Sequence, residues 1–192
     1  MGLSDKQLLK KARQGDEESL RLIYLGHKDR LFTIARALLH DRDLAEDIVQ
    51  DVFVAFARGL KDLRLRGSLG AYLSVSVCNR ARDIIRARVR REGKLEAAIE
   101  PQEGTDSPET VASHAEAIEQ LREALQSVPL EQREVLLLRT QAGLTFKEIA
   151  KRQGTGVNTA QGRFRYGVSK LRLVFETARR SSHDSRRVRK TN

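Results

Sequence analysis

Residues Leu144–Arg172 read LTFKEIAKRQGTGVNTAQGRFRYGVSKLR. Thr145, followed three residues later by Glu148, is a capping box, in which each side chain satisfies a backbone N–H of the other's position. The short helix it opens turns Phe146, Ile149 and Ala150 inward, and Gln153–Gly154 ends it because glycine takes the left-handed position at a helix C-terminus. A second helix begins after a tight turn, with Val157, Ala160, Phe164, Val168 and Leu171 spaced by threes and fours as a buried stripe. The prediction is helix, turn, helix over residues 145–153 and 157–178. In such a motif the second helix enters the major groove and its first turns face base edges. Asn158, Thr159, Gln161 and Arg163 fall there; Asn and Gln can pair with adenine, Arg with guanine. Arg165, Lys170 and Arg172 would reach phosphates. Gly162, in mid-helix, costs roughly 1 kcal/mol relative to Ala. Close approach of the backbone to DNA would account for it, and so would packing. The same pattern describes a plain helical hairpin with solvated basic residues. It does not describe a dinucleotide loop, since Thr159 stands where GTGVNTAQG would need its third glycine and no strand precedes it.

Working upstream, Pro129 separates helices expected near 113–127 and 131–142. The stretch EPQEGTDSPET (Glu100–Thr110) holds two of the three prolines and almost nothing apolar, which reads as a linker. Before it, Ser4 caps a helix to about Gln14, and Asp16 can cap the next. Leu31, Phe32, Ile34, Ala35, Leu38 and Leu39 form a core-facing stripe over 27–39. Asp41 or Asp43 caps a helix to about Phe56, with Leu44, Ile48, Val49, Val52, Phe53 and Phe56 inside. Gly59–Gly67 is a polar loop, and Ser68 opens a long helix towards Arg91. No alternating strand pattern is present. The fold class expected is all-α: two small helical domains joined by a flexible linker, the second with a helix-turn-helix. The boundaries are 1–92, a linker at 93–112, a second domain at 113–178, and a basic disordered tail at 179–192.

The chain has 192 residues with 36 Lys and Arg against 26 Asp and Glu, a formal charge of +10. Such an excess points to a polyanion, nucleic acid before a membrane surface. No apolar run approaches the roughly 20 residues of a spanning helix, and the start MGLSDKQLLKKARQGD lacks an apolar signal core and carries Lys6 where a myristoylation pattern needs Ser or Thr. The expectation is a cytoplasmic protein without membrane insertion. One cysteine, Cys78, allows no internal disulfide, and four scattered histidines offer no zinc cluster. No metal, cofactor or catalytic residue is expected: there is no paired acid and base, nucleophile elbow or phosphate loop. A basic RNA-binding protein is disfavoured by the helix-turn-helix.

Charge is also segregated. RARDIIRARVRR (Arg80–Arg91) is nearly all basic, while DLAEDIVQDVF (Asp43–Phe53) sets Asp43, Asp47 and Asp51 four apart with Glu46 and Gln50 beside them. Like charges at this spacing repel by a few tenths of a kcal/mol each. Facing a basic helix on another protein, they would steer encounter and fix register; alone, they fit an ordinary solvated face.

The succession GDEESLRLIYLGHKDRLFTIARALLHDRDLAEDIVQDVF, then GSLGAYLSVSVCNRARDIIRARVRR, a linker, then VPLEQREVLLLRTQAGLTFKEIAKRQG resembles the extracytoplasmic-function sigma factors, small two-domain bacterial transcription initiation factors. The resemblance covers roughly residues 4–91 and 113–176, and the D-x-AED-x-x-Q-D-x-F pattern is its specific part. It implies that the chain binds core RNA polymerase and promoter DNA, with an anti-sigma factor as a further candidate partner. By the resemblance, Asp43, Asp47, Gln50 and Asp51 would face the polymerase. Arg64, Arg66, Tyr72, Asn79, Arg80, Arg82 and Arg86 would meet the minus-ten element, with the loop Lys61–Gly67 capturing an unstacked base. Asn158, Thr159, Gln161, Arg163, Arg165 and Lys170 would read the minus-thirty-five element. The chain departs from the family pattern at Tyr72, usually Trp, at Val75 and Cys78, often Arg, and at Thr155 and Gly156 in the turn. The base-capturing loop holds no aromatic residue. Cys78 reads as a small packing residue rather than a redox sensor. The competing reading is a dimeric helix-turn-helix regulator, which needs neither the acidic helix nor the basic one.

Overall fold

A computed structural model of the chain describes residues 3–65, 67–92, 121 and 124–188, with side chains as far as 91 in the first part and 176 in the second. Its helices are α1 (Asp5–Ala12), α2 (Glu17–Leu39), α3 (Arg42–Arg58), α4 (Leu69–Glu92), α5 (Leu130–Thr140), α6 (Phe146–Gln153) and α7 (Val157–Val188). No strand occurs among the described residues. They form two compact units, one built on α1–α4 and one on α5–α7. The expected linker, 93–112, lies outside the described residues, as does most of the helix expected at 113–127, of which 124–126 are helical.

In the first unit the caps fall where short polar side chains precede apolar periodicity. Gln7 Oε1 accepts the Ser4 N–H at 2.8 Å, and α1 ends at Ala12, two residues short of the expected Gln14. Asp16 accepts the Ser19 N–H at 3.2 Å and the Ser19 hydroxyl; these bonds hold its carboxyl below the usual range. The 27–39 stripe is the second half of one long helix that starts at Glu17. His40 turns left-handed (φ 59°) and Asp41, rather than Asp43, caps α3 by accepting the Leu44 N–H at 3.0 Å. Ser68 Oγ accepts the Ala71 N–H at 3.1 Å and opens α4.

Ile23, Leu31, Ile34, Ile48, Leu73 and Val77 are fully buried and fill the centre. A run of aromatic contacts crosses it. Tyr24 on α2 meets Phe53 edge-on at 4.8 Å, Phe53 meets Phe56 at 5.8 Å, and Phe56 meets Tyr72 on α4 at 6.4 Å. Five of the six expected inner residues of α3 are buried; Leu44 is half-buried and Ala45 takes the core position beside it. Val75 and Cys78 are core residues of α4, which explains apolar side chains where the family pattern often has Arg.

One polar cluster is built into this unit. His27 is 7% exposed. Its Nδ1 lies 2.6 Å from Arg30 Nη2, and its Nε2 lies 3.2 Å from Asp5 Oδ2 on α1, off the line of a good hydrogen bond. The Arg30 guanidinium in turn occupies the space above Gly70, where any Cβ would sit 2.1 Å from Nη2. Burial pushes the His27 imidazole below its ordinary value, Asp5 opposes the shift and Arg30 adds to it. The neutral ring accepts from Arg30; a protonated one would set two cations against each other.

The second unit starts from a buried cation. Arg133, 8% exposed, donates from Nε and Nη2 to the Val128 carbonyl at 3.3 and 2.9 Å, and from Nη2 to the Gln126 carbonyl at 3.1 Å. It thereby gathers the chain end that precedes α5. Burial lowers its pKa to about 10, which leaves it charged at neutral pH. Thr145 and Glu148 form the expected capping box, with Glu148 Oε2 accepting the Thr145 N–H at 2.8 Å, and these bonds hold the Glu148 carboxyl low. Gly154 is left-handed (φ 63°). Phe146 on α6 meets Phe164 on α7 edge-on at 5.5 Å. Gly167 is the close point between α5 and α7: a Cβ there would lie 2.9 Å from Leu136 Cδ1. Ala160 is buried and Phe164, Val168 and Leu171 half-buried, but Val157 is exposed, because the first turn of α7 projects beyond α5 and α6 coverage.

Helix α7 continues to Val188, ten residues past the expected end, so residues 179–188 of the expected disordered tail are helical. Residues 168–188 contain no glycine or proline, so nothing in the backbone stops a helix once it is nucleated. Residues 189–192 lie outside the described residues.

Because the folded His27 pKa lies below the unfolded value near 6.5, protonation favours the unfolded chain. Its contribution to stability is complete above pH 6.5 and is lost as pH falls below it. Denaturant titrations of the wild type should show this decline, and His27→Gln should flatten it in the same window.

Candidate nucleic-acid interface

Helix α7 presents its first turns outward. Asn158, Thr159 and Gln161 are exposed, as are Arg165 and Lys170 further along. Arg163 differs from them. It is half-buried, and its Nη1 donates to Gln153 Oε1 at 2.7 Å. Gln153 Nε2 donates to Glu134 Oε2 at 2.9 Å and to the Glu131 carbonyl at 3.1 Å. The last residue of α6 thus ties α5 to the first turns of α7 and fixes one arm of the Arg163 guanidinium. Gly162 has nothing within 4 Å of a would-be Cβ, so packing among the described residues does not require it. One turn later stands Tyr166, 69% exposed, which the sequence reading left out. An aromatic side chain at i+4 from that glycine, between Arg165 and Lys170, was its available signal.

In the first unit, α3 and α4 enclose an open cleft of about 480 Å³. Val52, Ala55 and Phe56 give it apolar walls, Tyr72 an aromatic one, and Ser76, Asn79, Arg80, Asp51 and Asp83 a polar rim. Tyr72 is 36% exposed, neither core nor fully free, with one side against Phe56. Five of the residues expected at the minus-ten element lie on α4, with Tyr72, Asn79 and Arg80 at the cleft and Arg86 exposed beyond it. Arg82 is half-buried on the same helix. Arg64 is exposed in the segment before α4, and Arg66 lies outside the described residues.

The acids of α3 face away from its core. At 100° per residue, Asp43, Asp47, Gln50 and Asp51 fall within an arc of roughly 100°, and all four are exposed. They do not share one environment. Asp51 pairs with Arg80 across the cleft at 3.2 Å, both side chains more than half exposed. Asp41, at the cap, stands 3.5 Å from Arg88. Gln50 borders a second, open cleft of about 370 Å³ between α2 and α3, with Tyr24, Lys28, Asp29, Phe32, Arg42, Glu46 and Val49. That cleft mixes both charge signs around two aromatic rings, and nothing in the periodicity of α3 alone announced its α2 half.

Among the described residues no cluster of three or more His, Cys, Asp and Glu is placed to hold a metal ion. No helix among them is long and apolar enough to cross a membrane.

Residues 23–91 match the family model of sigma-70 region 2, and residues 118–171 match that of sigma-70 region 4. Curated relatives include the RNA polymerase sigma-H factor of Pseudomonas aeruginosa, 25% identical over 83% of this chain and 87% of its own length. Another is the ECF RNA polymerase sigma factor SigK of Mycobacterium ulcerans, 27% identical over 89% and 93%. Among solved structures, CnrH in complex with the cytosolic domain of CnrY superposes with a TM-score of 0.64, at 22% identity, covering 90% of this chain and 97% of that one. The sigma factor RpoE of Bartonella quintana, solved with the anti-sigma factor NepR, gives 0.62 at 21% identity over 81% and 96%; both likenesses speak to the fold. With region 2 falling on α2–α4 and region 4 on the helix-turn-helix, the chain belongs to the sigma-70 family of RNA polymerase sigma factors, in its extracytoplasmic-function class.

Proposed function

We propose that this sigma factor brings core RNA polymerase to its promoters through two chemically opposite surfaces. Asp43, Asp47, Gln50 and Asp51 on α3 receive a basic face of the polymerase core, and α7 reads the minus-thirty-five duplex. The observation that carries this reading is the two-sidedness of α3: a helix in a chain of charge +10 buries Ala45, Ile48, Val49, Val52, Phe53 and Phe56 on one face and sets exposed acids on the other. Such a surface gives steering and register to a protein partner of opposite charge.

The minus-ten element meets α4. Arg80, Arg82 and Arg86 hold its backbone, with Arg64 and Arg66 adding charge before the helix. An unstacked base leaves the duplex at a cost of a few kcal/mol and is received by the segment after Gly59 together with the α3–α4 cleft. Tyr72 supplies the aromatic surface that the loop lacks, and Asn79 the hydrogen-bonding group. On α7, Asn158, Thr159 and Gln161 face base edges, Arg163 enters the set braced by Gln153, and Arg165 and Lys170 contact phosphates. The protein acts in the cytoplasm and catalyses no step itself. An anti-sigma factor is its candidate inhibitor, as NepR is the anti-sigma partner solved with RpoE. A dimeric operator-binding regulator would have no use for the acids of α3.

Asp47→Arg tests the polymerase face. The exposed site predicts a stability change within about 0.5 kcal/mol, with loss of co-purification with core polymerase and retained binding to a minus-thirty-five duplex. Unchanged co-purification would remove Asp47 from the interface. Gly162→Ala separates the two roles of that position. Denaturation should show a gain of up to about 1 kcal/mol from helix propensity, while duplex affinity falls because the added methyl stands between backbone and DNA. On α7, Gln161→Ala should change base preference by about 1–3 kcal/mol at one position. Lys170→Ala should weaken all sequences alike and lower the salt slope of binding by about 1.

A further inference from the structure

We propose that Arg13, just past the end of α1, is a positioning residue for the segment that receives the unstacked base. The proposal rests on the reading of that segment given above. Arg13 Nε donates to the Leu60 carbonyl at 3.2 Å, and Nη2 donates to the Leu63 carbonyl. These two acceptors flank Lys61–Asp62, the first residues of the loop. Gly59–Asp62 is a turn held by an Asp62 N–H bond to the Gly59 carbonyl at 3.2 Å and a longer Leu60 N–H bond to the Ala57 carbonyl at 3.4 Å. Leu63–Leu65 has no regular structure. The guanidinium fork is therefore the contact that fixes the spacing of residues 60 and 63, and with it the direction in which Arg64 leaves the turn.

Both sides of the bridge are firm. The Arg13 backbone is helical and its N–H reaches the Leu9 carbonyl at 3.1 Å. Leu8, Leu9 and Ala12 bury the helix that carries it, and Leu60, beside the turn, is 5% exposed. The carbonyls also lie just beyond the C-terminus of α3, the negative end of its dipole, where a cation is favoured. Lysine could neutralise that end but could not span two carbonyls with a planar fork. Helix α1 lies outside residues 23–91, the part matched to sigma region 2. The assignment thus gives the preceding helix a part in promoter opening: it holds the receiving loop in shape without touching DNA.

The test uses full-length protein with core polymerase and a promoter library randomised at the minus-ten element. Arg13→Ala should flatten the preference for the captured base about tenfold, the scale of one lost hydrogen bond to a charged group. Arg13→Lys should recover only part of it. Binding to a minus-thirty-five duplex and co-purification with polymerase should hold at wild-type levels. Leu9→Ala is the control for loosening α1: it should lower the thermal midpoint at least as much as Arg13→Ala and leave base preference intact. If Arg13→Ala keeps the wild-type preference, or if Leu9→Ala flattens it equally, Arg13 only fastens α1 and the proposal fails. Should the wild-type chain itself support no polymerase-dependent transcription, it is the functional reading that falls, and the role of Arg13 in it.

Discussion

Helix α3 must satisfy two surroundings at once, and the architecture of the first unit follows from that constraint. Ala45, Ile48, Val49, Val52, Phe53 and Phe56 demand cover, and α2 and α4 supply it from either side. The chain of rings from Tyr24 through Phe53 and Phe56 to Tyr72 shows the three helices meeting on those side chains. Burying several large apolar residues contributes on the order of 1.5–3 kcal/mol each, well above the few tenths that the acids lose by mutual repulsion. The acidic face is therefore sustained by the apolar one. It can be spent on a partner because the fold does not depend on it.

The second unit solves a different problem, that of holding a recognition helix by one edge only. Two glycines of α7 divide the work. Gly167 lets α7 lie close to Leu136 on α5, where a side chain would push the helices apart. Gly162 faces open space and keeps the outer surface low between Asn158 and Tyr166. The bond from Arg163 to Gln153 and the bonds from Gln153 to Glu134 and the Glu131 carbonyl then set the angle at which the first turns of α7 emerge. Removing Gln153 would take from the half-buried Arg163 guanidinium the acceptor of its Nη1, a loss on the order of 1–3 kcal/mol.

What was legible in the sequence was local. The Thr145–Glu148 box, the left-handed Gly154, the Asp16 and Ser68 caps and the inner stripe of α3 are each decided within one or two helical turns, and pattern reading located them. Asp41 over Asp43 as the cap of α3 was a choice between two adequate oxygens, and only the left-handed turn at His40 decides it. The long-range contacts left no such trace. Arg163 looked like a free base reader because its partner sits ten residues away on another helix. Asp51 and Arg80 looked like members of two separate surfaces because they stand 29 positions apart in the sequence. Arg13 carried no signal at all, since its acceptors are backbone carbonyls, which every residue has. The run of α7 to Val188 was missed for the opposite reason. Its composition suits a solvated tail, but composition that cannot build a core can still extend a helix whose first turns are already packed.

The Asp51–Arg80 pair bears on how the two surfaces of the first unit can both be used. Its side chains are 61% and 52% exposed, so by the measure of exposed ion pairs it contributes about 0.2–1 kcal/mol. That is too little to resist either a basic polymerase helix taking Asp51 or a phosphate taking Arg80. It is enough to hold both side chains at the cleft rim in the free protein, where each is partly neutralised by the other. In the assignment proposed above, engagement of Asp51 by a cation on the polymerase would remove that neutralisation and leave Arg80 a stronger ligand for phosphate. By linkage, DNA held at Arg80 would strengthen the acidic face by the same amount. On that assignment the overlap of the two surfaces would make polymerase and promoter weakly cooperative ligands of one helix pair, through a contact small enough to exchange.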